Sequence, residues 1–455
     1  MGTTQGATPA TSRVAAVRGN RWWTLAAMCF GLFLINLDIT IINTALPSIQ
    51  RALHASPSTL EWTINAYTLT LAALLLLGGT LGDRYGRRLL FMAGLGLFTA
   101  FSVACALAPS ADWLVAMRAG QGAGAALIAA LTLSIIVTTF EPRELPHAIG
   151  VYAGVSALAL AVGPLVGGAL TEYVGWSAIF WVNVPIGVAG AVVAGLAVRE
   201  SRNPHHMELD PVGATLATAG LFLLVWALIG TTHHAWASPA TLLPLAGGLA
   251  LLAAFVAWEA GHRAPMVPLV FFRRARFTVP TLAQSFVYLA IFGVIFFMTL
   301  YFQNVRGWSP IEAGLATLPM TIMIVLLGPL TGRLQGRMGA RLMMTIGLAA
   351  VSAGLLGLTR LGTATSYWVI LPLYVLQGAG LALALPGSSS LPMASVDRTR
   401  SGVASGVLNA SRQVGAALGL AILGAVGSAL ASRDWARTLE PLPPAARRAG
   451  ERLQE

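Results

Sequence analysis

From Trp22 onward the chain alternates long apolar stretches with short polar ones, and the apolar stretches recur at lengths near twenty residues. About 20 apolar residues in α-helical form span ~30 Å of hydrocarbon, so each stretch is long enough to cross a bilayer. With a window of about 19 residues, helices are predicted over 24–46, 62–82, 89–108, 113–138, 147–171, 176–198, 212–231, 241–259, 281–304, 310–331, 342–361, 366–389 and 401–431. Pro164 and Pro386 fall inside two of them. Packed neighbours in a membrane satisfy the backbone groups that a proline frees, so neither ends a helix. Thirteen helices joined by short loops predict an all-α polytopic membrane protein.

Composition sharpens this picture. Of 455 residues, 56% are hydrophobic and 10% charged, against roughly 25% charged in a soluble domain. A soluble fold of this length cannot cover so apolar a chain, so lipid must be part of its solvent. The 28 basic residues are all arginine. Without lysine there is no Walker A phosphate loop and no Schiff base, which excludes ATP-driven transport by this chain alone. Cys29 and Cys105 lie inside apolar stretches, so neither points to a disulfide framework or a metal site. The histidines, including the pairs His205-His206 and His233-His234, sit in loops or at their edges without an HExxH spacing. Residues 1–21 are polar and the first apolar run is too long for the core of a cleavable signal.

The net charge of +11 would ordinarily suggest nucleic acid, but the arginines cluster in the short loops. With the N-terminus in the cytoplasm, the inner segments hold eighteen of them, including Arg84, Arg87, Arg88, Arg333, Arg337 and Arg341. The short outer loops hold three: Arg51, Arg306 and Arg360. Basic residues are retained on the cytoplasmic side, so the count sets the orientation and makes the charge topogenic. Trp62, Trp113, Trp176, Trp236, Trp308 and Trp368 then form a belt at the outer interface. No nucleic-acid partner is expected.

The chain also echoes itself. The turn after the second helix reads Gly79-Thr-Leu-Gly-Asp-Arg-Tyr-Gly-Arg-Arg88, and the turn after the tenth reads Gly332-Arg-Leu-Gln-Gly-Arg-Met-Gly-Ala-Arg341. Two basic, glycine-bearing turns, each after the second helix of a half, point to a duplicated bundle. Duplication is how many secondary transporters are built, with the substrate site between the halves.

Several segments together resemble one family, the major facilitator superfamily. The Gly79–Arg88 turn, with Gly79, Asp83, Arg84, Gly86, Arg87 and Arg88, resembles its signature between helices 2 and 3. Leu37-Asp-Ile-Thr-Ile-Ile-Asn-Thr-Ala-Leu-Pro47 is similar to the motif of its fourteen-spanner drug–proton antiporters. Arg118-Ala-Gly-Gln-Gly-Ala-Gly124 resembles the family's buried-arginine motif. Gly154 with Gly163, Pro164, Gly167 and Gly168 resembles the fifth-helix motif of exporters. Trp176 to Gly187, with Phe180, Asn183 and Pro185, and Asn409 to Gly415 also fit that branch. The resemblance runs from about residue 22 to 431.

It implies the major facilitator fold: two six-helix-type bundles around a central cavity, bridged by two linker helices. The expected parts are a cytoplasmic tail over 1–21, an N-terminal bundle over 22–198, linker helices and loops over 199–280, a C-terminal bundle over 281–431, and an extracytoplasmic tail over 432–455. Thirteen helices are counted, so the branch's fourteenth is expected to be absent. The resemblance also implies that Asp83 sits against the start of the thirteenth helix near Ser401 and locks the cytoplasmic side. Residues 261–280, with Phe271 and Phe272 beside Arg273, Arg274 and Arg276, are expected to lie amphipathically on the inner surface.

Charges inside a membrane are costly and default to function. Here they are Asp38, Arg118 and Arg412. At 1.5 Å per residue, Asp38 lies roughly 12 Å and Arg118 about 8 Å below the outer surface, depths at which pairing resolves both charges. Asp38 either takes up the coupling proton or a substrate cation, or belongs to a static ion pair. Asn36, Thr40 and Asn43 recur at helical spacing on another side of the same helix, and the sequence leaves open which side meets the cavity. Gln121, Gln284, Tyr288, Tyr374 and Gln377 are further cavity candidates. Glu61 and Glu259 lie at helix ends, where solvated faces are expected.

The resulting expectation is a monomeric transporter in the inner (plasma) membrane that exports an amphiphilic compound in exchange for protons by alternating access. The proton gradient drives it, so no cofactor, metal or ATP is expected, and its partners are lipid, substrate and protons. A proton-coupled importer on the same fold is the alternative; a membrane sensor would add a signalling domain.

Overall fold

The computed structural model describes residues 19–439 except 203–209, 232–233, 235, 263–264, 309 and 363–364. The first eighteen and last sixteen residues, with most of the expected N-terminal and C-terminal tails, lie outside the described residues. The N-terminal bundle comprises α1 (Arg21–Leu53), α2 (Pro57–Tyr85), α3 (Arg87–Ala106), α4 (Ala111–Thr139), α5 (Leu145–Tyr173) and α6 (Ala178–Ala197). Two linker helices follow, α7 (Pro211–Gly230) and α8 (Pro239–Gly261). The C-terminal bundle comprises α9 (Ala275–Leu300), α10 (Pro310–Met338), α11 (Ala340–Leu358), α12 (Tyr367–Ala394) and α13 (Ser401–Leu439). Among the described residues, α1 to α12 each supply a stretch long and apolar enough to cross a membrane.

Local capping moves the predicted boundaries. The Asn20 side chain accepts Trp22 N–H at 2.9 Å and starts α1 three residues earlier than hydropathy alone indicates. Ser56 accepts Thr59 N–H at 3.1 Å ahead of Pro57 and brings α2 forward from 62 to 57. Polar first turns are invisible to a hydropathy window but natural to a helix. At the other end, α13 runs to Leu439, eight residues past the predicted limit, so the tail assigned to 432–455 begins as helix. The 261–280 segment is mostly not a surface helix. One short turn, Val270–Arg273, precedes α9, and Phe271 is buried against Phe277, their rings 5.4 Å apart.

The halves meet along α2 and α4 with α13, and α5 with α10 and α12. The linker helices pair with each other, and α7 also rests on α2 and α13. Small residues set how close these backbones come. A Cβ added at Gly79 would strike the Gly402 carbonyl, and one added at Gly150 would strike the Gly328 carbonyl. The echoed second turn works in the same way, because a Cβ at Gly332 would strike the Pro146 carbonyl of α5. The duplication read in the sequence thus appears as two crossed contacts, α2 on α13 and α10 on α5.

One expectation fails at the linker pair. Glu259 is not solvated but 3% exposed, because residues 265–268 fold over the end of α8 and Val267 N–H donates to its Oε2 at 3.3 Å. Glu61 is exposed, as its position at the start of α2 leads one to expect.

Candidate functional site

Among the described residues, three polar constellations lie within or between the two bundles. The first closes one end of the molecule. Asp83, at the end of α2, accepts Gly402 N–H at 3.0 Å on Oδ1 and Val403 N–H at 3.1 Å on Oδ2. The first N–H groups of a helix have no intrahelical partner and carry partial positive charge, so a carboxylate there satisfies both needs. Arg87 holds the same carboxylate through Nε and Nη2, at 2.8 and 2.7 Å, and donates on to the carbonyls of Arg398 and Thr399. Gly86, at φ +123°, makes the turn between them. Arg88 donates to Gly195 O at 2.7 Å, while Glu200 accepts the N–H groups of Arg88 and Leu89 at the start of α3. The half-buried Arg84 lies over the ring of Tyr85, 5.3 Å from its centroid. The echoed turn carries Gly336 where this one carries Asp83, so only the α2 turn clamps with charge.

The second constellation is sealed within the N-terminal bundle. Asp38 pairs with Arg118 Nη1 at 2.5 Å and accepts further hydrogen bonds from Gln121 Nε2 at 2.9 Å and Asn183 Nδ2 at 2.8 Å. Arg118 also donates to Thr63 O at 3.0 Å and lies 4.2 Å from the ring centroid of Tyr67. Gln121 donates on to Ser102 at 2.7 Å. Five helices, α1, α2, α3, α4 and α6, thereby converge on one buried ion pair. Asn183 reaches it because α6 is interrupted at Val182: Pro185 has no N–H to offer the carbonyl four residues earlier.

The third is a cavity of about 140 Å³ between the halves. Its wall is mostly apolar, with Leu32, Leu71, Ile149, Phe292, Ile324 and Leu381 among its lining. Asn36 stands on this wall and donates to Ser156 Oγ at 3.0 Å across the α1–α5 contact. Opposite, Arg412 of α13 donates to Asn409 Oδ1 at 3.2 Å and to Ser389 Oγ at 2.9 Å, with the Tyr288 ring 5.5 Å away. The buried amide of Gln284 completes that set when its nitrogen faces Ser388 O at 3.1 Å and its oxygen faces the guanidinium.

The predicted residues therefore divide. Asn36, Tyr288 and Arg412 meet at the cavity, with Gln284 buried behind Arg412. Asp38, Arg118 and Gln121 form the sealed network instead, which answers which side of α1 faces the cavity. Thr40 bonds to the Asn36 and Leu37 carbonyls and packs on Gly163, while Asn43 is exposed and bonds to Ile39 O. Tyr374 and Gln377 are buried in the C-terminal bundle off the main cavity. On α5, Gly167 packs against Ile41 and Thr44, one turn past Pro164, and Gly154 packs against Val325, whereas Gly168 faces open space. Tyr152, Ser156 and Ser389 join the wall as well, and no sequence motif points to them. Tyr152 and Ser156 are four apart on α5, the one spacing that marked them in advance.

The family model described as the Major Facilitator Superfamily matches residues 28–420. The chain is 36% identical over 414 residues to the tetracenomycin C resistance and export protein of Streptomyces glaucescens, covering 90% of this chain and 76% of that protein. It is also 36% identical over 419 residues to multidrug resistance protein Stp of Mycobacterium tuberculosis, covering 92% and 77%. Its fold matches the proton:xylose symporter XylE, solved with 6-bromo-6-deoxy-D-glucose, at a TM-score of 0.64 and 13% identity over 91% of this chain and 90% of that one. A duplicated helical bundle, a clamped turn after α2 and a cavity between the halves meet these likenesses on one answer: this chain is a polytopic membrane transporter and belongs to the major facilitator superfamily.

Proposed function

We propose that the chain exports small amphiphilic compounds, of the drug or antibiotic kind, across the plasma membrane in exchange for protons, with its N-terminus in the cytoplasm. The observation that carries this reading is the position of the cavity relative to the clamp. The cavity lies between the bundles, and hydrogen bonds joining the bundles gather at the arginine-rich ends, at Asp83–Gly402, Arg87–Thr399, Ser134–Ser401 and His147–Pro329. With the arginine-rich side cytoplasmic, this is the state from which substrate leaves outward. Reopening the clamp would reload the cavity from the cytoplasm or inner leaflet. Relatives named as a resistance and export protein and a multidrug resistance protein support the direction and the breadth of substrate.

Proton coupling is assigned here to Asp38 with Arg118. A proton on Asp38 would cancel its attraction for Arg118 and disturb the three donors gathered on it. Because α1 carries Asp38 inward and Asn36 on the cavity wall, loosening one side of the helix alters the other.

The test uses everted membrane vesicles with an acidic interior and two xanthene dyes, fluorescein and rhodamine 123. Proton-driven export predicts dye uptake into the vesicles that collapses with a protonophore. Dye moving in the same direction as protons would make the chain an importer, and no movement of either dye under the imposed gradient would sink the proposal.

A further inference from the structure

Arg412 is the one charged side chain in the cavity wall among the described residues, and no carboxylate lines the cavity. The other two buried guanidiniums are answered by acids, Arg118 by Asp38 and Arg87 by Asp83. Arg412, only 9% exposed, is held instead by neutral oxygens on Asn409, Ser389 and Gln284. Dipoles fix the position of a guanidinium without cancelling its charge. In a low-dielectric cavity such a charge attracts an anion and repels a cation far more strongly than in water.

The surroundings fit the same reading. Tyr152, on the opposing half, lines the cavity with its buried hydroxyl facing the Arg412 guanidinium, and the hydroxyl proton has no acceptor among the described residues. Hydroxyls donate as readily as they accept, so an acceptor placed between Tyr152 and Arg412 would satisfy both. The Tyr288 ring flanks the guanidinium, and the remaining wall of Leu32, Leu71 and Phe292 suits an apolar or aromatic body. Gln413 also lines the cavity, next in sequence to Arg412.

We infer that the transported compound is an acidic amphiphile, whose carboxylate or ionised phenol pairs with Arg412 and accepts from Tyr152 while its apolar body lies against the opposite wall. This deepens the export reading and rests on it for direction only. It leaves Asp38 no part in capturing a substrate cation, since Asp38 lies outside the cavity.

The experiment measures fluorescence anisotropy of fluorescein (acidic) and rhodamine 123 (cationic), which share a ring system, with the purified full chain in nanodiscs. The wild type is expected to bind fluorescein at least tenfold more tightly than rhodamine 123. Arg412→Lys keeps the charge and should stay within a few-fold of the wild type. Arg412→Gln should lose tenfold or more. Gln413→Glu leaves Arg412 in place but sets a carboxylate beside it, and should show a similar loss, so it carries the test if Arg412→Gln does not fold. Equal or tighter rhodamine 123 binding, or unchanged fluorescein binding in a folded Arg412→Gln or Gln413→Glu, would overturn the inference. Fluorescein bound as expected but pumped inward would remove the export reading and leave the inference standing. Outward pumping of rhodamine 123 without fluorescein binding would do the reverse.

Discussion

Asp83 on α2 caps α13 at Gly402, more than three hundred residues along the chain, with Oδ1 3.0 Å from the backbone nitrogen. The contact needs three things at once. Gly79 and Gly402 must lack side chains so that the helices can touch, since a Cβ on either would meet the other's carbonyl. Ser401 must start α13 where its free N–H groups point at α2, and there it bonds to Ser134 of α4 at 2.8 Å. Arg87 must hold the carboxylate in place from one turn away, at 2.7 Å. Each partner sits on the arginine-rich side, so the ion pair, the helix terminus and the glycine pair act as one closure.

Asp83→Asn tests that closure. The amide keeps the size but gives up the charge that Arg87 and the α13 terminus share, and hydrogen bonds to charged groups contribute about 1.5–3 kcal/mol each. Transport by the variant should fall about tenfold or more, while fluorescein affinity in nanodiscs stays within a few-fold. An equal loss of affinity and transport would place Asp83 in the binding site instead of the gate.

The glycines divide in a way that a pair of substitutions can check. Gly79→Ala presses a methyl group onto the Gly402 carbonyl, and overpacking of this kind costs about 1–3 kcal/mol. Gly168→Ala meets nothing within 4 Å. The first should slow transport several-fold by opposing closure, and the second should leave it unchanged, at equal membrane expression. A silent Gly79→Ala would mean that the α2–α13 contact has room to spare.

How far the sequence reached can be argued from single residues. Hydropathy found the helices because lipid imposes one rule on every span. Their ends eluded it, because Asn20 and Ser56 start helices with polar first turns. Equal depth brought Asp38 and Arg118 together, yet depth says nothing about direction. Asn36 and Asp38 stand two positions apart, about 200° around the helix, and only the packing of α4 and α6 shows that Asp38 points into the bundle. Asn183 belonged to a recognised motif, but its reach to Asp38 depends on the break before Pro185. The burial of Glu259 is hidden from the sequence because a helix end looks solvated until the following segment folds over it.

Orientation is open to a direct measurement. A phosphatase reporter active only outside the cytoplasm, inserted at Gly307 between α9 and α10, should be active. The same reporter at Gly339, between α10 and α11, should be silent. Reversed activities would place the arginine-rich loops outside and turn the proposed direction of transport around.

The Asp38–Arg118 pair poses the question of coupling against mere architecture, and a double substitution separates them. Asp38→Asn strands the Arg118 guanidinium inside the bundle, and removing one partner of a buried pair costs about 3–5 kcal/mol. The single variant should therefore melt at a lower temperature, and its loss of transport alone proves little. Adding Arg118→Met replaces the stranded charge with an apolar side chain, a change that is often neutral or stabilising once the pair is gone. The double variant should regain much of the lost stability, with Gln121 and Asn183 still present to bond the asparagine at position 38. It still has no group there that can take up and release a proton. If Asp38 couples export to the gradient, the double variant will be stable, will bind fluorescein and will exchange it downhill, yet will fail to concentrate it in acid-loaded everted vesicles. Concentration of the dye by the double variant would show instead that five helices converge on Asp38 for structure alone.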